Sequence, residues 1–250
     1  MAFAALGIAA AAAKKEVKEA PVSPATDGIT REQADDILKE LKQMRALLEK
    51  LVSAQANGKP SAPAPPPIVS VKVPPDTQML GSKDAPYTMV EYMDLQCPFC
   101  KRFDETTFAE IRKNLIDTGK LRYYSRDFPL DFHPFAMKAA IAARCAAEQG
   151  QFWPMRQTLV SNAANLSAEA IQGYAKSVGL DSAAFSTCIA SHKYDAAIRD
   201  SLNEGTAAGV QGTPSFVIGK STPNGVTGTL VVGALPYPAF EAEFQKLEAK

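Results

Sequence analysis

The sequence predicts an α/β domain opened by a helical insertion, with a separate amphipathic helix and a proline-rich linker in front of it. Three observations predict this. Short β-prone runs lie near both ends of residues 68–250. Between about 131 and 207 there are helical patterns and no strand-like run. Upstream of residue 68, an apolar heptad seam is followed by five prolines between Lys59 and Pro67. A chain of 250 residues with 46% hydrophobic and 22% charged side chains is neither wholly disordered nor a polytopic membrane protein. Its 27 basic and 27 acidic residues balance, which argues against a nucleic-acid partner.

Residues 1–13 are apolar and alanine-rich, too short to span a bilayer. They resemble the hydrophobic and small-residue parts of a secretory signal, although no Lys or Arg precedes Lys14. The expectation is export, to the periplasm or another extracytoplasmic space; the alternative is a plain alanine-rich start. Residues 14–28 read as a tether. Residues 29–56 read as a helix, with Thr30 and Gln33 as a capping box. Ala34, Ile37, Leu41, Met44, Leu48 and Leu51 form an a/d seam, widened by Leu38, Leu47 and Val52. Residues 57–67 are a stiff spacer that separates this stripe from any core nearby in sequence. The expectation is a homo-oligomer through residues 29–56; the alternative is a helix folded back onto its own domain.

From Ile68 the strands are Val69–Val73, Tyr87–Leu95, Leu121–Asp127, Ser215–Ile218 and Thr229–Val232, the last two around a Thr-Pro-Asn-Gly turn at 222–225. Helices are expected over Phe99–Ile116, Pro134–Gln149, Phe152–Ser161, Ser167–Gly179, Ser182–Ser191, Lys193–Ala208 and Phe240–Leu247.

Four cysteines carry the chemistry. Cys97 and Cys100 form a CxxC, whereas Cys145 and Cys188 stand alone. A zinc half-site needs two more suitably spaced ligands, and the two histidines, His133 and His192, form no pair. No metal site and no cofactor are therefore expected. The motif follows an apolar strand and opens a helix. That places Cys97 where unpaired N–H groups and the helix dipole favour a thiolate. Cys100, one turn later, would be the more buried resolving thiol, and Pro98 suits the first helical turn. Glu91, inside the strand, would be desolvated and could exchange a proton with Cys100; an outward-facing glutamate is the alternative. Cys145 and Cys188 read as a structural disulfide of the insertion, against two buried free thiols or a second relay. His133 reads as an N-cap or loop residue, and Trp153 as core or groove lining.

The run Val90-Glu91-Tyr92-Met93-Asp94-Leu95-Gln96-Cys97-Pro98-Phe99-Cys100, with Gly212-Thr213-Pro214 far downstream, resembles the DsbA-like branch of the thioredoxin superfamily. Phe128-Pro129-Leu130, His133 and Gln149-Gly150-Gln151-Phe152-Trp153 extend the likeness over roughly Ile68 to Lys250. The resemblance implies a thioredoxin fold with a helical insertion. It also implies a cis Pro214 facing the CxxC, and substrate contacts at Pro98, Phe99, Thr213 and Pro214. The best-known oxidising members carry Pro-His between the cysteines. Phe99 removes that donor, so a less oxidising pair is expected, with Lys101 compensating in part.

The implied function is an exported thiol–disulfide oxidoreductase acting on protein cysteines. Its catalytic residues would be Cys97, Cys100 and Glu91, and its direction dithiol oxidation. Its partners would be cysteine-containing proteins and a redox partner, membrane-bound if it regenerates an oxidase. The alternatives are an oligomeric disulfide isomerase or reductase, and a non-enzymatic thiol module that handles copper or zinc.

Overall fold

The computed structural model of the protein describes residues 30–57 and 67–249, without the side chains of residues 51–57. The signal-like start at 1–13, the tether at 14–28 and nearly all of the 57–67 spacer lie outside the described residues. The chain divides into two units, Met1–Ala64 and Pro65–Lys250.

In the first unit, helix α1 runs from Arg31 to Asn57. Thr30 N donates to Gln33 Oε1 at 3.0 Å and Gln33 N donates to Thr30 Oγ1 at 3.2 Å, a reciprocal cap that satisfies two orphan N–H groups. Ile37, Leu38, Leu41, Met44, Leu47 and Leu48 are all exposed.

The second unit is built on one six-stranded sheet. Its strands are β1 (Ile68–Lys72), β2 (Met79–Leu80), β3 (Tyr87–Met93), β4 (Leu121–Asp127), β5 (Ser215–Thr222) and β6 (Gly225–Val232), in the order β1-β6-β5-β3-β4-β2. Only β3 and β4 pair in parallel; the other neighbours are antiparallel. The β5–β6 hairpin is longer than the sequence indicates, and its loop is only Pro223-Asn224. Gly225 closes it at φ +153°, and a Cβ there would lie 2.0 Å from the Val71 carbonyl oxygen. Two-residue β2 has no periodicity to betray it in the sequence.

Helices cover both faces. On one side Phe103, Ile111, Phe240 and Phe244 pack against Met89, Tyr123 and Phe216. On the other, Phe128, Ala208 and Val210 pack on Val90, Tyr92 and Val217. The helix expected over Phe99–Ile116 is broken into α2 (Pro98–Thr106), α3 (Phe108–Ile111) and a π-helical stretch over Arg112–Ile116. The break falls at Thr107, with φ −111°, whose hydroxyl donates to the Leu235 carbonyl at 2.9 Å instead of to its own helix.

The insertion holds α4 (Ala136–Ala147), α5 (Phe152–Ser161), α6 (Ala168–Ser177), α7 (Ser182–Ala190) and α8 (Asp195–Ala207); α9 (Tyr237–Glu248) ends the chain. Ser167 and Asp181 cap α6 and α7 by accepting from Ala170 N and Ala184 N. Cys145 on α4 and Cys188 on α7 are joined by a disulfide spanning 43 positions. Loop-closure entropy for that span gives an upper figure of about 4 kcal/mol. Replacing both cysteines by alanine should lower the unfolding free energy by up to that amount, read from urea denaturation against the oxidised wild type.

Candidate active site

Strand β3 delivers the chain to a short loop that Asp94 organises. Asp94 Oδ1 accepts from Gln96 N at 2.7 Å, and Oδ2 accepts from Leu130 N at 2.9 Å and meets His133 Nδ1 at 2.7 Å. The Asp94 carbonyl accepts from Cys97 N at 3.0 Å, and Gln96 Oε1 accepts from Phe135 N at 2.7 Å. The loop before the cysteines is thereby fastened to residues 130–135, which gives His133 its place. Cys97 is the N-cap of α2, in an extended conformation with φ −71° and ψ 124°, and Pro98 occupies the first turn.

The Thr213–Pro214 peptide is cis. The Cys97 thiol donates to the Thr213 carbonyl at 3.4 Å. The sequence makes Cys100 the more buried of the two thiols, but Cys97 too is only 3% exposed, because the Thr213 segment lies against it. Exposure falls instead on Pro98 and on Phe99, at 54% for Phe99. The Arg102 guanidinium sits 5.2 Å from the Phe99 ring centroid. Lys101 is turned away, donating to the Ser161 carbonyl at 2.8 Å.

The two free thiols are driven apart. Cys97 is pulled down to about 5, first by a hydrogen bond from the Cys100 thiol and then by the Thr213 side chain and the N–H groups of Cys100 and Phe99, against the cost of burial. Thr213 Oγ1 is buried with no other partner. Cys100 is pushed well above the ordinary cysteine range, first by burial, then by its bond to Cys97 and by the negative charges of Glu91 and Cys97.

Glu91 is fully buried, on the same strand face as Met89 and Met93. The sequence alternation could not choose its face; helices covering both sides of β3 make the outward-facing alternative impossible. Burial raises its proton affinity, against the pull of Arg156 and Tyr123. Arg156 on α5 donates from Nη2 to Glu91 Oε2 at 2.8 Å and from Nη1 to Asp104 Oδ1 at 2.6 Å. The Tyr123 hydroxyl donates a short hydrogen bond to the same Glu91 oxygen. The Trp153 ring flanks the guanidinium, its centroid 5.8 Å away.

Sequence reading misses Asp94, Asp104, Tyr123 and Arg156. A signal for Arg156 exists: with Phe152, Met155, Leu159 and Val160 it occupies the buried stripe of α5, where an arginine needs a partner. Asp104 likewise shares a helix face with Cys100, four positions on. Cys145, Glu148 and Cys188 bring potential metal-ligand atoms within 4.8 Å of one another, but the disulfide engages both sulfurs.

A thioredoxin family model, Thioredoxin_4, matches residues 74–225. Among solved structures, α-DsbA1 of Wolbachia pipientis superposes with a TM-score of 0.64 at 26% identity, covering 71% of this chain and 94% of that one. A thioredoxin-like oxidoreductase of Silicibacter pomeroyi gives 0.59 at 25% identity, over 71% and 95%. BdbD of Bacillus subtilis shares the fold with a TM-score of 0.64 at 19% identity, over 73% and 98%. Among curated proteins, the Na(+)/H(+) antiporter NhaA 3 of Salinispora tropica is 32% identical over 177 residues, which is 69% of this chain and 26% of the antiporter. The chain thus spans about a quarter of the length of that relative, and no described helix is long and apolar enough to cross a membrane. Antiport is therefore not carried over from the name. The family match, which spans well over half of the chain, and the structural likenesses agree with the geometry around Cys97: the chain belongs to the thioredoxin family, as a DsbA-like member of it.

Proposed function

We propose that the protein is an exported thiol–disulfide oxidoreductase that oxidises dithiols in protein substrates through Cys97 and Cys100. The observation that carries this reading is the opposite displacement of the two thiols, Cys97 down to about 5 and Cys100 far up. A substrate thiolate attacks Cys97 Sγ of the disulfide form; the Cys97–Cys100 bond breaks and Cys100 leaves, taking a proton from Glu91. A second substrate thiolate then attacks the substrate sulfur of the mixed disulfide, and Cys97 departs as a stable thiolate. Two electrons pass to the pair, and the substrate gains a disulfide. Stabilising the Cys97 thiolate stabilises the reduced protein and makes its disulfide the stronger oxidant. That offsets the loss of a histidine at Phe99. Thr213 and Pro214 position the substrate chain beside Pro98 and Phe99. A redox partner, membrane-bound, returns the pair to its disulfide. Export is supported by the alanine-rich start and by the Cys145–Cys188 bond, which suits an oxidising compartment.

Ultraviolet titration of the reduced protein should show a thiolate with a midpoint near 5, lost in Cys97→Ser. The linkage has a definite sign. A depressed thiol stabilises the reduced fold fully above its ordinary value of 9.0, and this contribution fades as the pH falls through about 5. The reduction potential should therefore fall less steeply with pH above the Cys97 midpoint than below it, by about 30 mV per pH unit, because one proton fewer accompanies the two electrons. The steeper slope at neutral pH would remove the basis of the reading.

Exchange itself separates the two cysteines. Cys97→Ser should abolish oxidation of a dithiol peptide, whereas Cys100→Ser should accumulate mixed disulfides seen by mass spectrometry. Labelling of Cys100 ahead of Cys97 by an alkylating agent contradicts the assignment.

The exposed stripe of α1 favours a second reading, an oligomeric isomerase or reductase. Six large apolar side chains from Ile37 to Leu48 stand in solvent along one helix. Burial against further copies satisfies them, and several active sites on one stalk suit a misfolded client. Light scattering should give a mass above the monomer. Deleting residues 1–56 should yield a monomer that keeps dithiol oxidation and loses isomerisation of scrambled substrate. A monomeric full-length chain at micromolar concentration rejects this reading.

A further inference from the structure

Strand β1 closes one end of the sheet, and among the described residues no strand pairs with its outer side. In an antiparallel pair, alternate residues exchange hydrogen bonds with the partner and the others point away. Leu230 N donates to the Pro67 carbonyl at 3.0 Å and Val73 N donates to the Asn224 carbonyl at 2.9 Å. Both bonds fall in the register that sets Val69 against Gly228 and Val71 against Val226, so the odd-numbered residues are the ones bonded to β6. Ile68, Ser70 and Lys72 turn their N–H and C=O groups outward, and no loop or side chain among the described residues bonds to them. An edge of this kind is a template for an added strand.

The edge is one wall of a groove whose other wall is α8. A cavity of about 410 Å³ lies between β1 and Glu204, Ala207 and Ala208. Val69 and Val71 share a cluster with Ala208, and the two alanines leave room on that side for β-branched side chains. The groove continues toward the start of α8. There a second cavity of about 160 Å³ lies between Pro74 and Asp76 on one wall and Ala197, Asp200 and Glu204 on the other. Two arginines border it, and both are matched. Arg126 donates to Ser201 Oγ and to Glu204, and Arg144 donates to Asp127 Oδ2 at 2.6 Å. Asp76 and Asp200 are exposed and enter no ion pair among the described residues. The polar end of the groove therefore has two carboxylates without a cation.

We propose that this groove docks an extended, unfolded polypeptide segment, which adds a strand beside β1 and places a basic side chain between Asp76 and Asp200. The outward groups of Ile68, Ser70 and Lys72 hold the backbone whatever its sequence, while the alanines and the two carboxylates select its side chains. Running antiparallel to β1, the segment carries its basic residue first and alternating β-branched residues after it. The spacer that precedes β1 does not fit, because Pro60, Pro63, Pro65, Pro66 and Pro67 lack the N–H that the edge requires. A second copy of β1 pairing antiparallel would set its lysine beside Ile68, at the end of the groove away from Asp76. The inference goes beyond the exchange reaction, and the docking needs neither Cys97 nor Cys100.

The test uses the full-length protein and a cysteine-free probe, Ac-Arg-Gly-Val-Thr-Val-Thr-Val-NH2, with binding read by calorimetry and by amide hydrogen exchange. In the free protein the amides of Ile68, Ser70 and Lys72 should exchange fast and those of Val69 and Val71 slowly. Saturating probe should protect the first three. Asp76→Asn and Asp200→Asn, at exposed positions, should each weaken binding by about threefold. Glu in place of Arg in the probe should weaken it by about tenfold or more. Ser70→Pro removes an outward N–H without touching the β6 ladder and should abolish binding; the aspartate variants test the groove independently of whether that variant folds. No binding at millimolar probe overturns the proposal, as does binding that leaves the three edge amides unprotected or is untouched by both aspartate variants. Edge amides already protected in the free protein, and more so as its concentration rises, would mean that a second copy holds the edge, which also overturns it. Exchange that survives Cys97→Ser defeats the proposed function and leaves docking standing; a probe that fails to bind defeats only this inference.

Discussion

Strand β3 sits in the middle of the sheet with β4 on one side and β5 on the other, and from Thr88 to Met93 every residue on it is buried. A strand covered on both faces gives no polar side chain a route to water, so each must find its partner inside the protein. Thr88 meets Arg122 Nε at 2.6 Å and Ser221 Oγ at 2.8 Å. Glu91 meets Arg156 and Tyr123. Asp94, just past the end of the strand, gathers Gln96, Leu130 and His133. These polar residues lie three apart along the chain, at Thr88, Glu91 and Asp94, and each draws in a different part of the surrounding structure.

The same strand ends where the chemistry begins. Two identical thiols acquire opposite character within one helical turn because their surroundings differ in kind. Cys97 occupies the helix start, where N–H groups and a donating neighbour favour the anion. Cys100 lies one turn inside, with two anionic neighbours and little access to water. Burial alone would have raised both. The direction of the Cys100-to-Cys97 hydrogen bond breaks the symmetry, since it stabilises one sulfur as an anion by keeping the other protonated.

Much of this was legible in the residues, for identifiable reasons. The strand-to-helix junction at Cys97 is local, as are the Thr30–Gln33 cap and the turn before Gly225. What the sequence hid is long-range. The break at Thr107 depends on a carbonyl 128 positions away, at Leu235. The burial of Glu91 depends on helices that close the sheet from both sides. Arg156 was overlooked because arginine on a helix reads as solvent-facing unless the apolar stripe is traced through it. The relative arrangement of Asp104 and Arg156, 52 positions apart, exists only once α5 has docked on α2.

The Cys145–Cys188 bond encloses α5 within its loop, and α5 carries Arg156. Synthesis runs from the N-terminus, so Glu91, Cys97, Cys100 and Asp104 leave the ribosome before that arginine. Until α5 arrives, the two acids have no counter-charge, and burying them together is unfavourable. The Thr213 segment that packs against Cys97 emerges later still. The full depression of the Cys97 thiol therefore draws on the distant Thr213 segment as well as on the neighbouring Cys100. The exchange site is thus completed by a residue that follows both cysteines of the structural bond in the chain.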